Sequence, residues 1–288
     1  MKATALLLML AAGMAQADDT LWDFLPELPP TSEITLSTGA DSANGWNSQI
    51  SALLEGPQAV QFSMMLGTSK TVGDNASLRT DFWSAGIGSD PLGDFSIGLD
   101  YSVWGNEHAM TIHSVRATFG FNSDHFSLTL SPQQRTIRLR LKEPYSQQRP
   151  HWQEESQDIG ITATWYALPD WSFSGNYIQY HYTANPVRLA TDYRAALIFS
   201  QDTLQLASGL DDNRMVLGVN HYLEKTVLGG EWARSLSAVD NSTATTVTLL
   251  ISTERSRSWR LDLHGGVQNT EYNDSAILFA DIGVAYRW

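Results

Sequence analysis

The chain contains no cysteine, so no disulfide can stabilise it. It also lacks long apolar runs beyond Ala17, because a polar residue interrupts every apolar stretch within a few positions. A membrane-spanning helix needs about 20 consecutive, mostly apolar residues, which excludes a helical membrane protein. Stability is therefore expected from backbone hydrogen bonding and packing, as in a closed barrel that leaves no strand edge unpaired.

Basic residues are scarce: 18 Lys and Arg stand against 31 Asp and Glu, which gives a formal net charge of −13. This balance argues against nucleic acid as a partner, because nucleic-acid binding requires a basic surface. The sequence has no glycine-rich phosphate loop, no Gly-x-Ser-x-Gly turn and no recognisable repeat. Its histidines are scattered without the spacing of a metal site, so we expect neither a cofactor nor a metal.

The N-terminal residues have the pattern of an export signal. A lysine is followed by an apolar stretch from Ala3 to Ala12 and then by Ala15-Gln16-Ala17, the small residues of a cleavage site. We predict a signal peptide over residues 1–17 and a periplasmic tail over residues 18–32. The tail contains Leu21-Trp22-Asp23-Phe24-Leu25, so a short apolar plug or a strap against a barrel wall is the alternative.

Apolar and polar residues alternate from residue 33 to the end of the chain. Alternation is typical of strands with two different surroundings, such as lipid outside and a wet lumen inside a membrane barrel. A soluble barrel gives the same pattern with the two faces exchanged. The ten Trp, ten Tyr and ten Phe favour the membrane, because such barrels carry aromatic rings at both lipid interfaces.

Turn signals divide the chain into segments of strand length, and short turns alternate with looser breaks. Outer-membrane barrels have short turns on the periplasmic side and longer loops outside. The sequence therefore predicts an all-β fold over residues 33–288, a closed antiparallel transmembrane β-barrel of about 16 strands. Twelve to 14 strands are the alternative if weak runs such as 203–209 are not strands. The short turns lie at 55–57, 89–93, 122–124, 168–170, 200–202, 223–225 and 254–256.

Residues 124–142 are interpreted as one long strand with a bulge at Pro132. The apolar positions change there from even numbers, such as Phe126 and Leu128, to odd numbers, such as Ile137 and Leu139. An extra residue at Pro132 would keep both sets on the lipid-facing side of the strand.

The chain ends in an informative motif. Gly283, Tyr286 and Trp288 form the pattern Gly-x-x-aromatic-x-aromatic at the C-terminus. This ending resembles the Gram-negative outer-membrane β-barrel superfamily (porin-like), without indicating a subfamily. The resemblance implies contact with outer-membrane lipid and lipopolysaccharide, and recognition of these three residues by the barrel-assembly machinery. Ile282 departs from the pattern, which often has a polar residue at that position.

A basic row on the long strand is the first candidate site. The basic residues alternate with Ile137, Leu139 and Leu141, so the bulge would turn them towards the lumen. Porin-type channels select ions with such a row facing carboxylates. The alternative is that the row neutralises nearby acids or meets lipopolysaccharide phosphates. The predicted pore-lining residues are Arg116, Arg138, Arg140, Lys142, Asp94 and Asp100.

A second candidate site is His125-Phe126-Ser127, in which His125 and Ser127 share one face of a strand. Outer-membrane lipid hydrolases use a similar pair, with the histidine as base and the serine as nucleophile. Here the pair would face the lumen near the periplasmic end, whereas the barrel lipases work at the outer-leaflet surface. A lumen-wall histidine is the preferred interpretation.

These features favour a porin-like passive channel for small solutes or ions that could form a homo-oligomer. Among the predicted outer loops, residues 143–156 are long enough to fold inward as a constriction. The alternatives are a lipid-modifying enzyme, the barrel component of an export or assembly system, and a closed structural barrel with a packed lumen.

Overall fold

A computed structural model describes residues 32–56, 60–72, 77–89, 94–142, 151–183, 198–207, 209–271 and 276–288. Within these ranges the chain forms fourteen strands and one short helix, α1, over Gln201–Ala207. The predicted signal peptide and nearly all of the predicted tail lie outside the described residues. The strands β1 to β14 are Glu33–Asp41, Trp46–Glu55, Val60–Val72, Ser77–Ser89, Phe95–Asn106, Met110–Asn122, Phe126–Arg140, His151–Leu168, Trp171–Tyr182, Asp211–Leu223, Thr226–Ser237, Thr243–Glu254, Trp259–Thr270 and Ile277–Arg287.

The described strands form one closed barrel in which each strand pairs with its chain neighbours and β1 pairs with β14. Every pairing is antiparallel, and the closing register places Glu33 opposite Arg287 and Asp41 opposite Phe279. Both the start of β1 and the end of β14 therefore lie at the same end of the barrel, which we call the inner end. The opposite end, which carries the connection from β9 to β10, is the outer end. Closure pairs the edge strands that an open sheet would leave free.

The outer face of the barrel is an apolar belt. Along each strand, exposed large apolar residues alternate with less exposed ones, as in β5 and the inner part of β7. Aromatic rings pack on each other near the inner end, with ring centroids 5.4 Å apart for Phe95 and Phe121 and 4.9 Å apart for Trp259 and Tyr286. Trp83 and Tyr101 form a similar pair nearer the outer end, at 5.3 Å. An apolar band between aromatic girdles is the surface that lipid requires.

The predicted closed antiparallel barrel is confirmed, with fourteen strands within the described ranges, where the sequence favoured about sixteen and allowed twelve to fourteen. The difference arises in the connection from β9 to β10. The predicted turn at 200–202 and strand at 203–209 are wrong, because residues 201–207 form α1. Leu204 and Leu206 alternate with polar residues as in a strand, but a helix of this length shows too few residues to reveal its period.

The predicted bulge at Pro132 is absent from β7, all of which is described. Pairing with β8 keeps one register from Phe126 opposite Trp165 to Arg140 opposite His151. On the side that faces β6, two residue pairs are missing next to Pro132, but the pairing resumes in the same register at Leu130. Proline lacks the N–H that a ladder needs, so it interrupts hydrogen bonding without adding a residue.

As a consequence, even-numbered positions of β7 remain on the outer face along the whole strand. Ile137 and Leu139 face inward, where both are completely buried. The prediction that these two residues contact lipid is therefore wrong.

Among the described residues, no helix combines the length and apolar content needed to cross a bilayer.

Candidate functional site

From β2 to β10, most of the inward side chains in the inner half of the lumen wall are small and uncharged. These residues occupy the less exposed positions of β2 to β10, opposite the apolar belt. A barrel of fourteen strands has a diameter of roughly 25 Å between its backbone walls. Short side chains leave much of that width open, and their hydroxyl and amide groups can hydrogen-bond to water. The set includes Ser51, Ser63, Ser96, Gly98, Thr118, Thr129, Ser131, Thr162, Ser174, Asn176 and Gly218.

The outer end of the lumen contains a packed apolar cluster. Residues before, within and after α1 form the apolar cap, which we define as Phe199, Leu206, Ala207 and Leu210. The cap packs against inward-facing residues of β4, β6 and β7, and Leu206 and Ala207 are completely buried. This packing narrows the outer mouth on the β4–β8 side of the barrel. The wall residues are Leu78, Met110, Ile112, Ile137 and Leu139, joined by Ala109 and by Val239 from the connection between β11 and β12.

Backbone hydrogen bonds attach the cap to the end of β7. Leu141 forms an antiparallel bridge with Phe199, and the Lys142 N–H donates to the Ile198 carbonyl at 2.8 Å. The Thr203 hydroxyl lies 3.3 Å from the Ala109 carbonyl, which accepts its hydrogen bond. The cap is therefore fixed to the wall by polar contacts as well as by apolar packing.

A buried ion pair lies beside the cap. Arg135 Nε is 2.6 Å from Asp158 Oδ2, and both side chains are less than a tenth exposed. Arg135 Nη2 also donates to the hydroxyls of Tyr182 at 3.1 Å and Ser156 at 3.3 Å. The guanidinium carbon lies 4.2 Å from the Tyr180 ring centroid, a cation–π distance. These contacts pair a buried charge that would otherwise be costly.

The same group braces the base of the cap. Tyr182, the last residue of β9, donates from its hydroxyl to the Asp211 carbonyl at 2.6 Å, and Asp211 begins β10. Arg135 thus links β7, β8 and β9 at the point where the connection to β10 leaves the barrel. Its enclosed position indicates a structural role.

A second ion pair in the lumen is more open. Arg116 on β6 and Asp100 on β5 are opposite each other in the register, with Nη2 and Oδ2 3.7 Å apart. Each side chain is about 30% exposed, at 32% and 28% respectively. Both face inward beside Gly98 and Thr118, so a solute in the lumen can reach them.

A network of ion pairs closes the barrel at its inner end. Glu33 on β1 accepts hydrogen bonds from Arg260 Nη2 at 2.9 Å and from Arg287 Nε at 2.6 Å. Arg287 also donates to Glu254 at 2.9 Å, and Arg260 Nε lies 3.2 Å from Asp262. These contacts join the first strand to the last three, so we call them the seam network. Charges shared among several partners within a packed wall contribute more than isolated surface pairs.

The structure places the predicted basic row on the outer face. Arg138 and Arg140 are exposed on the same side of β7 as Phe126 and Leu128, and Lys142 is exposed just beyond the strand. Their predicted position on the lumen wall is wrong, because it depended on the bulge at Pro132.

The remaining predicted pore residues have different locations. Arg116 and Asp100 lie on the inward face, where they form the open ion pair. Asp94 lies in the turn before β5, where its carbonyl accepts a hydrogen bond from the Asn122 N–H at 2.7 Å. Of the loop predicted to constrict the pore, residues 143–150 lie outside the described residues, and 151–156 belong to β8.

His125 and Ser127 do not share a strand face. His125 is exposed in the turn between β6 and β7, and its carbonyl accepts a hydrogen bond from the Tyr166 N–H at 3.0 Å. Ser127 faces inward on β7. Both lie at the inner end of the barrel.

In the C-terminal motif, Gly283 is buried on the inward face of β14, whereas Tyr286 and Trp288 are exposed on the outer face. The two aromatic rings stack with centroids 6.0 Å apart. The motif therefore contributes to the aromatic girdle at the inner end.

Sequence reasoning missed the cap, the Asp158 partner of Arg135 and the seam network. Alternation could have identified Arg260 and Asp262 as inward neighbours, because both alternate with the apolar residues of β13. The pairing of Glu33 with Arg287 depends on the register between β1 and β14, which cannot be read from a single sequence. Among the described residues, no three His, Cys, Asp or Glu side chains form a group that could hold a metal.

Sequence comparisons give no relative: no protein family matches the chain, and no curated protein is significantly similar to it. Solved structures do match. The monoaromatic hydrocarbon channel CymD aligns with a TM-score of 0.59 at 8% identity, covering 96% of this chain and 93% of CymD. The toluene transporter TodX of Pseudomonas putida aligns with a TM-score of 0.56 at 9% identity, covering 91% of each chain. At such identities the similarity concerns the fold alone, and the chain has the closed-barrel fold of these two proteins.

Proposed function

We propose that this protein is a passive channel of the Gram-negative outer membrane that admits small polar solutes or ions. The observation that carries the proposal is the lumen wall from β2 to β10, where most inward residues of the inner half are small hydroxyl, amide or glycine residues within a closed fourteen-strand barrel. A lumen of this width and polarity fills with water and lets solutes diffuse.

The location follows from the outer face and the termini. An apolar belt with aromatic rings at both borders suits a bilayer, and the predicted signal peptide would export the chain. We propose that the inner end faces the periplasm, because the connections there are mostly shorter than those at the outer end. Gly283, Tyr286 and Trp288 are proposed as the signal for the barrel-assembly machinery. A homo-oligomer remains a prediction.

A second candidate solute class is favoured by the apolar cap. The partly buried apolar residues around the cap, such as Ile198, Leu204 and Trp152, would give small apolar molecules a first contact that polar solutes lack. The neighbouring structures named for toluene and monoaromatic hydrocarbons are consistent with this candidate. Under this proposal the cap takes part in entry, and the polar wall below is the exit path.

The two candidates are separated by solute flux into liposomes that contain the refolded protein. A channel for polar solutes gives liposome swelling with small sugars or amino acids, and stable single-channel steps in a planar bilayer. A channel for apolar molecules gives protein-dependent uptake of toluene with little sugar flux. A correctly folded barrel that passes neither class would contradict the channel proposal and would favour the structural, enzymatic or export alternatives.

A further inference from the structure

The outer face carries a concentration of positive charge near the outer end of β7. We define the outer basic patch as Arg138, Arg140 and Lys142, together with His108 and His151. All five side chains are exposed. Arg140 lies opposite His151 in the register, and its Nη1 is 3.4 Å from His108 Nδ1. In a chain with a net charge of −13, such a group is unusual and calls for an anionic partner.

The patch lies beyond the apolar belt. Arg138 is on the outer face six positions past Pro132, roughly 20 Å along the strand. A strand tilt of about 40° reduces this to a height of roughly 15 Å. Between Pro132 and Arg138 the outward residues of β7 are the polar Gln134 and Thr136. The β8 residues opposite them, Gln157 and Glu155, are polar too. The guanidinium groups therefore lie beyond the apolar belt, at the level of lipid headgroups, and they point away from the lumen.

Among the described residues, the acidic side chains near the patch are fewer than the basic ones. Glu107 is exposed in the turn next to His108, and Glu155 is exposed opposite Thr136, one outward position below Arg138. In the described part of this surface, two carboxylates thus lie near two arginines and a lysine, with two histidines beside them. The charge of the described residues on this part of the surface is positive, whereas the net charge of the whole chain is negative.

A second basic pair extends the patch around the barrel. Lys70 on β3 lies opposite Arg79 on β4, and the Arg79 side chain is 65% exposed with Nε 3.2 Å from Asp81. Three strand spacings separate β4 from β7, roughly 15 Å in total. A ligand with several anionic groups at that spacing can contact both sets.

We propose that the outer basic patch binds the phosphate groups of the outer-leaflet glycolipid, lipopolysaccharide. Arginine forms paired, charge-assisted hydrogen bonds with phosphate oxygens, and two arginines on one strand face match a phosphorylated headgroup held at the membrane surface. The inference rests on the proposed outer-membrane location, because it requires the outer end to face the glycolipid leaflet.

The test is binding of purified bisphosphorylated lipid A to the detergent-refolded protein, measured by native mass spectrometry in EDTA so that divalent cations cannot bridge phosphate to carboxylates. We expect the double variant R138S/R140S to lose at least tenfold in affinity. The double variant R138K/R140K keeps the charge and should recover most of the binding. Dephosphorylated lipid A should bind weakly to every variant.

The matched control is Arg234→Ser. Arg234 is also exposed and faces outward, but it lies on β11, far from the patch. Its replacement should leave lipid A affinity unchanged. Equal binding by R138S/R140S and the wild type, or an equal loss in Arg234→Ser, would overturn the proposal.

Channel activity is a separate readout. Because the replaced side chains point away from the lumen, R138S/R140S should keep wild-type conductance in a planar bilayer. A silent wild-type barrel that still binds lipid A through the patch would contradict the channel and leave the glycolipid site in place. A barrel that conducts but does not bind lipid A would contradict the glycolipid site and leave the channel proposal in place.

Discussion

The two halves of the lumen wall differ although the same strands build both. On β7, the inward positions near the inner end are Ser127, Thr129 and Ser131, and those near the outer end are Ile137 and Leu139. The small residues leave space for water, whereas the large apolar ones are covered by the cap. One strand face therefore serves as a pore wall along part of its length and as a packed core along the rest.

The largest expected effect comes from disrupting the packed apolar cluster at the outer end of the lumen. Leu206 is completely buried against the wall, so Leu206→Asp would place a charge in an apolar cluster at a cost of several kcal/mol. We expect the cap to leave the wall and the single-channel conductance to rise several-fold. Leu206→Met, which conserves volume, should retain wild-type conductance. If the aspartate variant folds and conducts like the wild type, the cap does not constrict the mouth.

The next prediction compares a buried ion pair with a more exposed one at the inner end, and its expected effect is smaller. Glu33 is 17% exposed and pairs with Arg260, which is 2% exposed, as well as with Arg287. Replacing one partner of such a group leaves buried charge without compensation, so Glu33→Gln should lower the free energy of unfolding by about 3 kcal/mol.

The matched variant is Glu254→Gln, because Glu254 contacts Arg287 alone in the seam network and is 35% exposed. Its effect should be about 0.5 kcal/mol. Urea titration of the barrel in lipid vesicles measures both values. Equal losses in the two variants would show that burial does not determine the contribution of the seam network.

For the open ion pair of Arg116 and Asp100, we expect the smallest effect on stability and a clear effect on ion selectivity. Arg116 faces the open lumen beside Asp100, so Arg116→Ser should change stability by less than about 1 kcal/mol. It should also shift the reversal potential in a salt gradient towards cation selectivity, because a positive charge leaves the pore wall. The outward variant Arg138→Ser should not shift it. A shift in the outward variant alone would contradict the assignment of faces.

The sequence was sufficient to predict a closed antiparallel barrel, because alternation and turn signals are local features of the chain. Short turns at 122–124, 168–170, 223–225 and 254–256 lie at or next to strand ends in the structure. The strand number differed because the segment with Leu204 and Leu206 is a helix, whose conformation is decided by packing against β6 and β7. A local sequence pattern cannot reveal contacts with residues that lie 63 and 94 positions away in the chain, as Arg140 and Ala109 do from Thr203.

The candidate site was less predictable for the same reason. Ile137 and Leu139 are apolar at the expected spacing, and lipid was the simplest explanation for them. The structure shows that the cap buries them, which fixes Arg138 and Arg140 on the opposite face. A single residue of register decides which face a side chain occupies, so one wrong bulge exchanged the pore wall and the outer surface.

The most direct test of a water-filled lumen uses the absence of native cysteine. Thr129 and Leu128 are adjacent on β7 but face the lumen and the outer surface, respectively. In planar-bilayer recordings, a charged, membrane-impermeant methanethiosulfonate should reduce current through the Thr129→Cys channel as it attaches, and should leave Leu128→Cys and the wild type unchanged. Absence of any change in Thr129→Cys, or equal changes in both variants, would contradict a pore through the polar half of the barrel.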